Sequence, residues 1–314
     1  MSSFPEIRTD GRWIRSQRGS KAPVDPYVPY GYFNEQERNS SGVITETSTL
    51  LLTNRECPFS CLMCDLWKHT TDEPVPVGAI PAQIEYALSR LPAASVLKLY
   101  NSGSFFDPHA IPVEDYPNIV TLAQSFDSLV VESHTAFLGK HCLDFHKLLT
   151  PNLQVAIGLE TVHHEVLERL NKKMTLDSFK RGVGFLGEHG ISTRAFVLLG
   201  PPFLSEEEGV EWACRSIDYA FQAGVELCSL IPVRAGNGAM DSLASKGFFQ
   251  EPSLDSLEQV LEYGIGLGKG RVFADLWDLE RFSGCDSCFE ARKTRLEKMN
   301  LSQEILAASD CDCK

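Results

Sequence analysis

Cys57-Pro58-Phe59-Ser60-Cys61-Leu62-Met63-Cys64 places three cysteines in a C-x3-C-x2-C spacing, just after the apolar run from Thr49 to Thr53. Three thiolates within eight residues, on a loop leaving a strand, can wrap one side of a four-iron four-sulfur cube. Three irons are then held by protein and the fourth is left open. An open metal position is where chemistry occurs, as in catalytic rather than structural zinc sites. The bland reading of the same octet is a structural zinc knuckle or a chance grouping among ten cysteines.

On both sides of the octet apolar runs alternate with helical stretches. Val43–Thr53 precedes a helix over Ile80–Leu91, Val96–Ser102 one over Glu114–Phe126, and Leu129–Ser133 one over Ala136–Leu149. Leu153–Glu160 then precedes Leu176–His189, Thr193–Gly200 precedes Glu206–Ala223, and Val225–Pro232 precedes a delayed helix at Leu254–Leu267. Strands alternating with such helices predict a parallel sheet with right-handed crossovers. Six units predict an α/β fold, a partial (βα)6 TIM-like barrel rather than the closed eightfold one, with a C-terminal Cys-rich extension. The expected divisions are an irregular N-terminal arm over 1–42, the barrel over 43–270 and the extension over 271–314.

The chain has 314 residues, is 43% hydrophobic and carries a net charge of −13, enough to bury a full core. That balance has the wrong sign for broad attraction to nucleic acid. Locally, Arg8, Arg12, Arg15, Arg18 and Lys21 gather positive charge, which reads as a solvated basic tail or as a contact for a polyanion. No apolar run reaches a membrane span, and MSSFPEIRTD lacks a secretion core, so a cytoplasmic protein without a membrane partner is expected. Cysteines grouped at ligand spacings fit a reducing compartment and metal binding.

In parallel α/β folds ligands bind beyond the carboxyl ends of the strands. The second predicted strand ends in Asn101-Ser102-Gly103-Ser104, where glycine lets backbone approach a ligand closely and N–H and hydroxyl groups can meet a polar one. Alone, Ser-Gly-Ser is only a turn. The third ends in Glu132-Ser133-His134, either a substrate or proton-shuttling pair or a structural hydrogen-bond pair. The fourth ends in Glu160, an acceptor suited to ribose hydroxyls. Lys172 and Lys173 follow, able to pair with a carboxylate or to sit solvated in a loop. Arg194 opens the fifth, which Pro201-Pro202-Phe203 closes, a terminator that can also lay backbone against adenine. Cys142, Cys214 and Cys228 read as buried thiols.

Near the C-terminus Cys285-Asp286-Ser287-Cys288 is separated by a helix-like run, Phe289–Met299, from Cys311-Asp312-Cys313. Four thiolates as C-x2-C and C-x-C can enclose a tetrahedral zinc or an iron–sulfur cluster.

The octet, with Met63 where an aromatic residue is usual, resembles the cluster motif of the radical S-adenosylmethionine (SAM) enzymes. Within them, LTNRECPFSCLMC, NSGSFFDP, VVESH, VAIGLET, LNKKMT, LLGPPFLSEEE, GCDSC and the closing CDC are similar to one branch, the radical SAM subunit of archaeosine synthase. That subunit is a relative of the elongator and methylthiotransferase group. The resemblance implies a four-iron four-sulfur cluster on Cys57, Cys61 and Cys64, with SAM chelated at the open iron and cleaved to a 5′-deoxyadenosyl radical. It implies SAM contacts from Ser102, Gly103, Ser104, Glu160, Lys172 and Arg194. It further implies a carbon–nitrogen cleavage on a modified nucleoside in transfer RNA, a partner transferase subunit, and reduced flavodoxin or ferredoxin as electron donor. A methylthiotransferase is not expected, since 42 residues without cysteine cannot supply its further cluster domain. The reading from another class is a cluster-bearing electron carrier or a non-catalytic partner subunit.

Overall fold

The computed structural model describes residues 7–309 and 311. At the centre is one sheet whose spatial order follows the sequence: β1 (Gly31–Arg38), β2 (Ile44–Leu52), β3 (Val96–Asn101), β4 (Ser128–Glu132), β5 (Asn152–Glu160), β6 (Ser192–Leu199), β7 (Leu227–Pro232) and β8 (Arg271–Ala274). β1 is antiparallel to β2, and β2 to β8 run parallel, curling into a half-barrel of the expected α/β kind. Around it lie α1 (Gly11–Ser16), α2 (Ala79–Leu88), α3 (Tyr116–Ala123), α4 (Lys140–Leu148) and α5 (His164–Arg169). They are followed by α6 (Leu176–Glu188), α7 (Glu206–Gln222), α8 (Ala239–Ala244), α9 (Leu254–Gly266) and α10 (Asp286–Ser302).

Strand residues alternate between two environments, as a pleat requires. Leu97, Leu99, Leu129, Val131, Val155, Ile157, Val197 and Leu199 are buried in one apolar core with Ile80, Ile84, Phe145, Phe179 and Ile217 from the helices. Removing this many apolar side chains from water is the main stabilising contribution, on the order of 2 kcal/mol for each fully buried Leu, Ile or Phe. Helix starts are set locally. Thr175 with Ser178 and Ser205 with Glu208 form reciprocal capping boxes for α6 and α7.

The opposite strand face is polar where β1 meets it. Lys98 Nζ donates to Glu35 Oε1 at 2.9 Å and to Glu37 Oε2 at 2.7 Å, while Arg194 pairs with Glu37 and its Nε donates to Gln154 Oε1 at 3.2 Å. Burial raises the Glu37 carboxyl, yet Arg194 and Lys98 outweigh it and hold the pKa well below the usual carboxylate range.

Two strands lie outside the six expected. β1 escapes a pattern search because its inward residues include Glu35 and Glu37, chosen for Lys98 and Arg194 rather than for apolar burial. β8 is four residues long, too short to show a period. The 1–42 stretch therefore contains a sheet strand and a helix, α1, whose first turn is capped by Asp10 accepting from the N–H groups of Arg12 and Trp13. The 271–314 segment likewise begins inside the sheet.

α10 closes the seam between the first and last strands. The outer edge of β8 is met by side-chain amides: Gln303 bonds both N–H and C=O of Val272, at 2.8 and 2.9 Å, and Asn300 both those of Ala274, at 2.9 Å each. From the other side Arg38 of β1 donates to the Leu301 carbonyl at 3.3 Å, and Arg271 to the Arg38 carbonyl at 2.8 Å. An exposed strand edge is thereby removed.

Candidate functional site

The carboxyl ends of β2 to β5 converge on the loop carrying Cys57, Cys61 and Cys64. Gly103 sits directly against that loop: a Cβ built there would lie 3.6 Å from the Cys57 Cβ and 3.6 Å from the amide nitrogens of Asn101 and Asn54. Asn54 locks the two segments together, accepting from Ser102 N–H at 3.0 Å and donating to the Arg55 carbonyl at 2.7 Å. Beside Gly103 the side-chain nitrogen and oxygen of Asn101 are buried and have no hydrogen-bond partner among the described residues, while the buried Ser102 hydroxyl faces the Tyr30 phenol. Buried polar atoms left unsatisfied are costly, and here they face the cysteine loop, where a polar ligand would satisfy them.

The far side of the cysteine loop is anchored by the segment after α5. Asn171 Nδ2 donates to the Ser60 carbonyl at 2.7 Å and Leu62 N–H to the Leu170 carbonyl at 2.9 Å. Asn237 Nδ2 reaches the carbonyls of Leu62 and Cys64 at 2.8 and 3.2 Å. The basic arm is in part anchored, while Arg8 and Arg12 stay exposed. Arg15 donates to Ser60 Oγ at 2.7 Å, and Arg18 and Lys21 pair with Glu56 at 2.6 and 2.8 Å, so these charges grip the loop.

Lys172 pairs with Glu160 at 2.5 Å, both nearly buried. Burial works against the Lys172 ammonium, but Glu160 and then Cys61 hold its pKa above the ordinary value. Glu160 has φ of +66° beside a register shift in the β5–β6 ladder, a strained conformation for a non-glycine residue. Gly158 lies beneath the pair, and a Cβ there would come within 2.0 Å of Glu160 Oε1 and 2.3 Å of Lys172 Nζ.

Burial pushes the thiols of Cys57 and Cys61 up to about 11 and that of Cys64 to about 12. Neutral thiols in a pocket next to an ammonium are what positive metal corners would convert to thiolate ligands. Single-ion spacing, with all ligand atoms within 4.8 Å of one another, is met among the described residues by Cys285, Cys288 and Cys311, and not by Cys57, Cys61 and Cys64.

Other expected residues have different places. Ser104 Oγ accepts from His134 N–H at 2.9 Å. His134 has both ring nitrogens engaged, Nδ1 accepting from Ala136 N–H at 3.1 Å and Nε2 donating to the Lys172 carbonyl at 3.0 Å. Burial, then the Lys172 charge, lowers its pKa to about 4, and its ring lies 4.2 Å from that of Phe59, tilted by 32°. Arg194 is a correction to the expected cofactor set. It lies five residues, about 16 Å, before the end of β6 and is committed to Glu37 and Gln154 at the opposite end of the barrel. Cys313 lies outside the described residues. Glu132, at the end of β4, accepts from Asn101 N–H at 2.6 Å, and burial raises its pKa to about 8. Sequence reasoning gave no role to the side chain of Asn101 and missed Asn54, Asn171 and Gly158. Their signal was proximity to a motif: each stands within three residues of the cysteine octet, the Ser-Gly-Ser turn, Lys172 or Glu160.

No family model matches the chain. It is 25% identical over 295 residues to an uncharacterized protein of Methanocaldococcus jannaschii, covering 86% of this chain and 80% of that one. Over 307 residues it is 25% identical to archaeosine synthase subunit beta of Methanosarcina acetivorans, covering 87% and 84%. Among solved structures it is similar to methylornithine synthase, with a TM-score of 0.53 at 13% identity over 80% of this chain and 69% of that one.

Proposed function

We propose, for a chain homologous to archaeosine synthase subunit beta and built on the radical SAM fold, that it is a radical SAM enzyme whose cluster site is the Cys57–Cys64 loop. The observation carrying this reading is the unpartnered buried side-chain amide of Asn101, packed through Gly103 against Cys57. Cys57, Cys61 and Cys64 would hold the cluster, and Asn101, Ser102 and Gly103 the amino-acid end of SAM. Glu160, steadied by Lys172, would take its ribose. When bound, cluster and cofactor supply radical hydrogen-atom abstraction. The chain's own part is to fix the loop from three sides, to satisfy the cofactor's polar groups and to keep water out.

The substrate we assign, from the motif resemblance, is a modified nucleoside in transfer RNA, cleaved at a carbon–nitrogen bond; the relative's name, a synthase subunit beta, supports a partner subunit. With a net charge of −13, such an RNA would need a local patch or that partner for its contact. The test is spectroscopic. Anaerobically reconstituted protein should carry about four irons at this loop. Adding SAM to the reduced protein should change its paramagnetic resonance spectrum, and Asn101→Ala with Ser102→Ala should weaken that response about tenfold. A loaded cluster whose spectrum ignores SAM would overturn the reading.

A further inference from the structure

The C-terminal cysteines take no part in the site above. Cys285 caps α10, Cys288 is buried in its first turn, and Cys311 returns so that its sulfur lies 3.8 Å from that of Cys285, 26 residues away. The ligand atoms of all three fall within 4.8 Å of one another. The distance discriminates between fillings. A disulfide would need about 2.05 Å. Sulfurs bound to separate irons of a cube stand about 6 Å apart. Four sulfurs at about 2.3 Å around a tetrahedral zinc stand about 3.8 Å apart.

We infer that Cys285, Cys288 and Cys311 form a structural zinc site. Its role follows from where α10 goes. Arg295 of α10 holds the carbonyls of Leu306 and Ala307, at 3.1 and 2.8 Å from its Nε, and so carries the returning chain toward the first turn. Arg292 and Arg295 fasten the same helix to Glu258 and Glu262 of α9. The zinc closes this loop and holds in place the helix whose Asn300 and Gln303 seal the edge of β8.

The inference is independent of the radical SAM reading, and one variant separates them. With Cys57, Cys61 and Cys64 all changed to Ala, anaerobically purified protein should contain about one zinc and no iron per chain. About four irons, or neither metal, would overturn the zinc site. Should that variant fail to fold, the wild-type chain stripped and loaded with cobalt(II) should show the intense thiolate-to-cobalt bands of a tetrahedral site. Cys285→Ser and Cys311→Ser should each shift those bands and release metal to a chelator about tenfold faster. Bands unmoved by either substitution would equally refute it.

Discussion

Lys172 Nζ donates to Glu160 Oε1 at 2.5 Å directly above Gly158, so an ion pair, a strained strand end and a glycine occupy one small volume beneath the cysteine loop. Breaking a buried pair by removing one partner leaves an uncompensated charge, costing roughly 3 kcal/mol or more. Lys172→Met should lower stability by about that amount in denaturant titration. It should also reduce SAM affinity, because Glu160 is no longer held in place.

Gly158→Ala tests the same volume sterically. A methyl at 2.0 Å from Glu160 Oε1 forces the pair apart, so SAM binding measured by calorimetry should weaken at least about tenfold. Gly184→Ala is the control: nothing lies within 4 Å of its added carbon, and in the interior of α6 it should stabilise by about 0.5 to 1 kcal/mol with binding unchanged.

Glu132 gives a pH dependence with a definite sign. Burial raises its folded pKa from the ordinary 4.5 to about 8, so the native state binds a proton that the unfolded state has released between those values. Its contribution to stability is complete below about pH 4.5 and is lost as pH rises through about 8. Thermal melts should show this decline, and Glu132→Gln should flatten it relative to wild type across that window.

Asn300 and Gln303 satisfy the outer edge of β8, so replacing either by Ala strands an N–H and a C=O at the seam. A loss of about 1 to 3 kcal/mol is expected for each. Hydrogen exchange should localise it to Val272 in one variant and Ala274 in the other.

Much of this architecture is legible in the sequence because apolar runs such as Val96–Asn101 and Asn152–Glu160 keep a strand signature, and helices such as α6 open on a readable capping box. β1 is illegible for a physical reason: Glu35 and Glu37 look solvent-facing until Lys98 and Arg194, 61 and 157 residues from Glu37, are known to face them. The same ignorance of long-range pairing placed Arg194 with the cofactor and left His134 undecided between proton transfer and structure. The cysteine octet is read from local spacing alone, while Gly158 and Asn171 matter only through what folding brings against them.

The central claim is tested most directly by incubating the reconstituted, reduced protein with SAM and quantifying 5′-deoxyadenosine. Wild type should form it, and Cys61→Ala should form none. A wild-type protein with its full complement of about four irons that yields no 5′-deoxyadenosine, even with precursor-bearing transfer RNA and partner subunit present, would contradict the account.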